Sequence, residues 1–404
     1  MKKTIFITLL MVIFTACMSS DHNSTKAQQA EVLKATSSRI KLGAERLDQY
    51  LKLLEGKRVA TVVNQTSTIG ETHIVDTLRS LGVNIVKVFA PEHGFRGDHS
   101  AGALVNNGKD IKTGLSVVSL YGKNKKPNAQ MLADVDVVVF DIQDVGVRFY
   151  TYISTMHYVM EACAEEGKTV VVLDRPNPNG FYVDGPILQP EYKSFIGMHP
   201  IPTVHGLTVG ELAGMINGEK WLKGEISCDV IVVPCANYTH DSMYLLPIKP
   251  SPNLPNMNAV YLYPYLGMFE GTNVSIGRGT DEPFQLVGRP GFQSEFAFKP
   301  RSIPGTSDHP KYENEICTGM RVDDIANGDL LANPRMKLEW LILFYQSNKE
   351  ENGPYFKAFF YKLAGNKTLR EDIEKGRSIE EIRKRWEPDL AKYREMRKKY
   401  LLYP

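Results

Sequence analysis

Val135-Asp-Val-Val-Val-Phe140 runs directly into Asp141-Ile-Gln-Asp144. The first six residues are nearly all apolar and do not alternate with polar ones. That pattern is expected of a strand covered on both faces, which is the situation in a parallel sheet. The abrupt change to acidic and amide residues then marks where the strand leaves the core. Working outward, Arg58–Val63, Asn84–Val88, Lys168–Leu173 and Cys228–Val233 repeat the same pattern. Val117–Tyr121 adds a short strand and Asn128–Ala133 a short helix. Helical spacing separates the strands. Thr72–Leu81 reads as a helix, and Thr151–Glu166 places Ile153, Met156, Met160 and Cys163 on one face. Thr208-Val-Gly-Glu211 is a capping box that opens a helix through Trp221. About five strands alternating with helices predict an α/β fold with a doubly wound parallel sheet.

Pro247, Pro250, Pro252 and Pro255 interrupt this rhythm. They divide the chain into an α/β domain over 42–250 and a smaller α+β domain over 251–404. In the second part Tyr261, Tyr263 and Tyr265 alternate, which predicts a strand with its aromatic face in the core. Helices are expected near Met336–Gln346 and from Ser378 onward, where Ser378-Ile-Glu-Glu381 is a second capping box.

The beginning of the chain points to export. Lys2 and Lys3 precede an apolar run, Ile5–Ala16, that is too short to span a bilayer and has the form of a signal peptide over 1–16. Phe14-Thr-Ala-Cys17 resembles a lipobox, which makes Cys17 the lipidated residue and 17–41 a tether. Phe14 stands where leucine is usual, so ordinary signal cleavage is the alternative. The expected location is outside the cytoplasm, as a membrane-anchored lipoprotein facing the periplasm or the cell surface.

Removing Lys2 and Lys3 with the leader from the 48 basic residues leaves 46 against 46 acidic ones. A chain without net charge argues against a nucleic-acid partner. No obligate protein partner is evident. Cys163, Cys228, Cys235 and Cys317 form no CxxC or metal-type spacing and read as buried free thiols.

In an open α/β sheet, ligands bind beyond the carboxyl ends of the strands. Those ends are the polar part of this chain. The first strand leads to Asn64-Gln-Thr-Ser67, and the second to Glu92-His93, with Arg96 beyond. The third leads to Asp141 and Asp144, then to Arg148, Tyr150 and Tyr152, and the fourth to Asp174-Arg175. Each residue alone could be a helix cap or a polar loop residue. Arginine and glutamate are not cap-type residues, however, and four ends agree. A second dense stretch, Phe269–Asp281, presents Glu270, Asn273, Ser275 and Arg278 among Gly271, Gly277 and Gly279. A plain glycine-rich connection is the competing reading.

Missing motifs narrow the chemistry. No GxGxxG, GxxxxGK[ST], GxSxG or HExxH is present, so no nucleotide cofactor, no α/β-hydrolase nucleophile and no metal are expected. His157 and His205 have no companion at metal spacing. Carboxylates beside arginines and aromatics suit acid/base chemistry on a polar or anionic ligand, sugars prominent among them.

VNQTS, APEHGFRG, DIQDVGVRFYTY, DRPNP, PSPNLP and FEGTNVSIGRGT, in this order, resemble the bacterial exo-β-N-acetylmuramidase family over about residues 45 to 404. The resemblance implies a Rossmann-like catalytic domain without nucleotide, a smaller C-terminal domain and a cleft between them. It also implies hydrolysis of β-1,4-linked N-acetylmuramic acid from the non-reducing end of a peptidoglycan-derived saccharide. By motif, Glu92 is the leading catalytic carboxylate. Asn64, His93, Arg148, Tyr150, Asp174 and Arg175 would surround the substrate, with Glu270 and Arg278 from the glycine-rich stretch. Arg96, Tyr152 and Asn273 join them as substrate-binding candidates. The second carboxylate stays open among Asp141, Asp144, Asp174 and Glu270, with Asp144 and Glu270 as candidates for catalysis. Arg148 or Arg175, with Arg278 as a further candidate, would hold the acidic substituent of the sugar. A non-catalytic lipoprotein that binds cell-wall fragments and an envelope esterase or amidase are the alternatives.

Overall fold

The computed structural model describes residues 40–96, 108–322, 328 and 332–404. The leader, Cys17, most of the tether and Gly97 of the APEHGFRG stretch lie outside them. The first part of the described chain contains α1 (Leu47–Leu54), β1 (Val59–Val63), β2 (Thr68–Ile69), β3 (Thr72–His73), α2 (Ile74–Ser80), β4 (Ile85–Ala90), β5 (Gly108–Lys109) and β6 (Ser116–Ser119). There follow α3 (Ala129–Leu132), β7 (Val137–Asp141), α4 (Tyr152–Glu165), β8 (Thr169–Leu173), α5 (Val209–Gly218) and β9 (Asp229–Val233). The central sheet has seven strands in the order β5-β6-β4-β1-β7-β8-β9. All neighbours are parallel except β5, which pairs antiparallel with β6 at the edge.

Strands β1, β7 and β8 are almost wholly apolar because both faces are covered. Ala60, Val62, Val138, Phe140, Val170 and Val172 pack with residues of α4 and α5, including Met156, Met160, Leu212 and Ile216. Val59, Val63, Val137, Val139, Val171 and Leu173 point the other way, to Tyr50 and Leu54 of α1 and Ile74 and Leu78 of α2. The Thr208–Glu211 capping box is present, with the Thr208 hydroxyl accepting from Glu211 N and the Glu211 carboxylate accepting from Thr208 N. Its helix ends at Gly218, short of Trp221.

Beyond the proline-rich segment come α6 (Met257–Leu266), a three-stranded antiparallel sheet in the order β10 (Leu286–Arg289), β12 (Cys317–Arg321), β11 (Phe296–Phe298), and the helices α7 (Leu338–Gln346), α8 (Phe359–Ala364), α9 (Thr368–Glu374) and α10 (Ile379–Lys398). The tyrosine strand is a correction. Tyr261, Tyr263 and Tyr265 lie on α6, whose amino end is capped by the Asn256 side chain accepting from Ala259 N. Val260 and Leu262 between them are buried as well, so the helix is apolar all round and shows no helical period in sequence. The apolar core runs without interruption from the parallel sheet into α6, α7 and α10, through Tyr263, Phe344 and Trp386. Helix α10 clamps the two parts together. Tyr393 donates to the His205 carbonyl at 2.7 Å, Arg397 to the Gly206 carbonyl at 2.6 Å, and Arg383 pairs with Asp184 at 2.9 Å.

Candidate active site

Strands β4, β1, β7 and β8 are neighbours and parallel, so their carboxyl ends share one edge, as the sequence predicts. What happens beyond that edge differs from strand to strand.

At the end of β4 the chain turns through two left-handed residues, His93 (φ 70°) and Gly94 (φ 79°). A histidine tolerates that region better than a branched residue would. The turn places Glu92 and His93 in the wall of an open cavity with about 430 Å³ of empty space, counting its mouth. The other walls are Phe149, Tyr150, Thr151 and Tyr152 after β7, Ser251, Asn253 and Leu254 from the PSPNLP stretch, Tyr263 from α6, and Arg278 and Phe284 from the second part. Glu92 is half-buried, and its Oε2 accepts from Thr151 Oγ1 at 3.0 Å. His93 Nε2 lies 3.3 Å from Ser251 Oγ. Tyr150 fixes its ring by donating to the Pro250 carbonyl at 2.8 Å, and it packs edge-on against Tyr152 and Tyr263.

The tyrosines report how charge is arranged here. Burial raises the Tyr263 phenol well above its ordinary value, and Glu270, Glu92 and Asp144 add to the rise while Arg278 opposes it. Tyr121 and Tyr152 are raised first by burial and next by the Glu92 charge. Glu92 is thus ringed by phenols that stay protonated and can donate. Across the cavity, Glu270 Oε1 accepts from Arg278 Nε at 2.8 Å, and the Arg278 guanidinium lies 4.9 Å from the centre of the Phe284 ring.

Several expected site residues hold the structure together instead. Arg148 is fully buried and spends its guanidinium on four carbonyls, Pro186 and Ile201 at 2.6 and 2.8 Å, Leu363 and Ala364 at 2.8 and 2.9 Å. Burial without a carboxylate partner pushes it down to about 9. It staples the two parts of the chain and cannot clamp a substrate. Arg175 is likewise committed, bidentate to Asp141 at 2.5 and 2.9 Å and donating to the Thr68 carbonyl at 3.1 Å. Asp174 accepts from Thr208 Oγ1, Tyr403 Oη, Gly210 N and Arg175 N at 2.6–3.0 Å. Arg96 forms a bidentate pair with Asp110, both contacts 2.9 Å, which holds the Asp110 carboxyl down to about 2. Asn273 donates to Asn348 Oδ1 and the Asn352 carbonyl, bracing the second part away from the cavity.

Asn64 is fully buried, with Oδ1 accepting from Thr66 N and Thr66 Oγ1 and its amide beside the Tyr152 hydroxyl. It supports the wall from behind. Asp144 also lies behind the wall, within electrostatic reach of Tyr150, Tyr152 and Tyr263. Burial raises it to about 7, although Gly146 N donates to Oδ2 at 2.7 Å. His205 Nε2 is 3.9 Å from the same oxygen. Among the described residues, no three His, Cys, Asp or Glu side chains come together as metal ligands.

The sequence reading passed over Thr151, Ser251, Asn253 and Phe284, all in the cavity wall, and it weighed Tyr263 against a sugar ring but favoured core packing. Ser251 and Asn253 belong to PSPNLP, which was recognised as a motif although none of its residues was assigned a role.

A parallel sheet without a phosphate cradle, meeting an aromatic cavity that exposes a carboxylate, defines a hydrolase framework suited to sugars. The comparisons agree. The family model described as exo-beta-N-acetylmuramidase NamZ, N-terminal, matches residues 59–258, and its C-terminal counterpart matches residues 261–403. The peptidoglycan beta-N-acetylmuramidase NamZ of Bacillus subtilis (strain 168) is 38% identical over 423 residues, covering 100% of both chains. Two solved structures of DUF1343 family proteins from Bacteroides fragilis NCTC 9343 superpose with TM-scores of 0.83 and 0.75, at 45% and 32% identity. They cover 90% and 91% of this chain and 99% of their own. The chain belongs to the exo-β-N-acetylmuramidase NamZ family of glycoside hydrolases.

Proposed function

We propose that the chain removes a terminal β-1,4-linked N-acetylmuramic acid from the non-reducing end of peptidoglycan fragments, with Glu92 donating the proton to the leaving oxygen. The observation carrying this is the half-buried Glu92 carboxylate in an aromatic cavity to which both parts of the chain contribute. Thr151 orients the carboxylate, and Tyr263, whose neighbours Tyr150 and Tyr152 already donate to the Pro250 and Glu92 carbonyls, donates to a sugar oxygen. Arg278 takes the role of anion clamp. Glu270 engages its Nε, which leaves the terminal nitrogens for the lactyl carboxylate or the first carbonyls of a stem peptide. Glu270 serves as its orienting partner, and the second catalytic group is not assigned.

The test is hydrolysis of two chromogenic β-glycosides, of N-acetylmuramic acid and of N-acetylglucosamine, which differ only in the lactyl group. Release from the muramic compound alone is expected. Equal release would remove the clamp, and release from neither would overturn the activity. Export and lipidation at Cys17 belong to the same reading, supported by Lys2, Lys3, the apolar run and Phe14-Thr-Ala-Cys17. A labelled fatty acid fed to the expressing cell should enter the protein and be lost in Cys17→Ser. Label retained in that variant would refute it.

A further inference from the structure

Asn253 is a polar group of the cavity that the scheme above leaves without a role. It is 1% exposed and lines the same wall as Glu92. Its Nδ2 donates to the Thr306 carbonyl at 2.7 Å. That contact fixes which way the amide faces, because the flipped arrangement would oppose two acceptors. The Oδ1 left over has no partner. A buried carbonyl oxygen is costly to leave unmatched, and one kept in a ligand cavity marks the place of a ligand donor.

Its position says which donor. Asn253 N donates to Ser251 Oγ at 3.3 Å, and the same hydroxyl is 3.3 Å from His93 Nε2. His93 adjoins Glu92, so the Asn253 backbone stands one hydroxyl away from the turn that holds the acid, and the residue lines the same cavity. On a β-linked N-acetylmuramic acid, the donor closest to the scissile C1 is the N–H of the 2-acetamido group. The hydroxyls on C4 and C6 lie across the ring, and O3 carries the lactyl ether and donates nothing.

We propose that Asn253 is the specificity-determining residue for the 2-acetamido group, its Oδ1 accepting the acetamido N–H. This deepens the muramidase reading and rests on it. The Thr306 contact fixes the amide before the substrate arrives, and a sugar without the N–H leaves the oxygen unmatched.

The full chain is tested on three chromogenic β-glycosides, the N-acetylmuramide, its 2-deoxy counterpart and its 4-deoxy counterpart. Each variant is compared with the unaltered protein on the same compound, so intrinsic lability cancels. Asn253→Ala should lower kcat/KM by about ten- to a hundredfold on the parent and the 4-deoxy compound, and change it little on the 2-deoxy compound. Asn253→Asp keeps an acceptor but loses the Nδ2 donor to the Thr306 carbonyl, so it should retain only part of the preference. If the alanine variant fails to fold, Asn253→Ser, too short to reach the same point, carries the comparison. An equal loss on all three compounds would reduce Asn253 to a structural role, and a loss spared only on the 4-deoxy compound would reassign it to O4. Either result overturns the proposal. No hydrolysis of any compound by the unaltered protein would instead bring down the muramidase reading, and this assignment with it.

Discussion

The carboxyl ends of β4 and β8 lie three strands apart on one edge of one sheet and carry similar polar pairs, Glu92-His93 and Asp174-Arg175. They have opposite fates. Beyond β4 the chain turns into a cavity, and Glu92 keeps partial access to solvent. Beyond β8 every direction is filled. Gly43 packs so closely that a Cβ there would come within 2.3 Å of the Val233 carbonyl, the amino end of α5 supplies Gly210 N and Thr208, and Tyr403 covers the rest. A sheet edge gathers polar residues. Which of them meet a ligand is decided by what the remainder of the chain lays over each strand end.

The contrast predicts that changes at the β4 end strike turnover and changes at the β8 end strike stability. The largest effect is expected from Glu92→Gln, a loss of about 10²- to 10⁴-fold in kcat with an unchanged melting temperature. Turnover retained in this variant would place the acid elsewhere. Next, Arg175→Met leaves the buried Asp141 charge without its partner and should cost about 3–5 kcal/mol in denaturant unfolding, while the folded fraction keeps its kcat. A stable but inactive Arg175→Met would erase the distinction between the two ends. Arg278→Gln should reduce the preference for the muramic over the glucosamine glycoside by about ten- to a hundredfold, or about 1.5–3 kcal/mol. An unchanged ratio would leave the cavity without a clamp.

A smaller effect is expected from pH. Burial pushes His157 down to about 4, His205 down to about 3 and His199 well below its ordinary value. All three are neutral in the fold and take up protons near pH 6.5 when unfolded. Their contribution is therefore complete above about pH 6.5 and lost as the pH falls. Burial raises Asp144 to about 7 and Asp174 to about 6, so these two keep their protons in the fold and oppose that loss. Burial lowers His73 in the same sense, so the imidazoles outnumber the two carboxyls and stability falls between pH 6 and 4, by about 1.4 kcal/mol per pH unit for each net proton. Asp144→Asn removes one opposing group and should steepen the slope, as read from unfolding midpoints across that range. An unchanged slope would show that Asp144 is ionised in the fold. The smallest effect expected is none at all. Cys163, Cys228, Cys235 and Cys317 are free and buried, so a reductant should leave the melting temperature of the folded part unchanged.

How far the sequence could be read follows the same division. β1, β4, β6, β7, β8 and β9, α4 and both capping boxes were visible because unbroken β-branched runs and S/T-x-x-E spacings report local physics. The edge strand β5 was not, since Gly108 and Lys109 are exposed and carry no apolar signal. The site was legible as an edge and as a motif, which is how Glu92 was found. Arg148 and Asp174 looked alike in sequence because nothing local tells a guanidinium bound by the carbonyls of residues 363 and 364 from one facing a sugar. Tyr263 was misplaced because its helix, buried on all sides, has no period to betray it.

Tyr403 reaches Asp174 across 229 residues, closing the carboxyl end of β8, the strand next to the β9 edge of the sheet. That contact sets an order of events during synthesis. Until residue 403 has emerged, Asp174 lacks one of its donors. Contacts over such separations form late and slow the final step of folding.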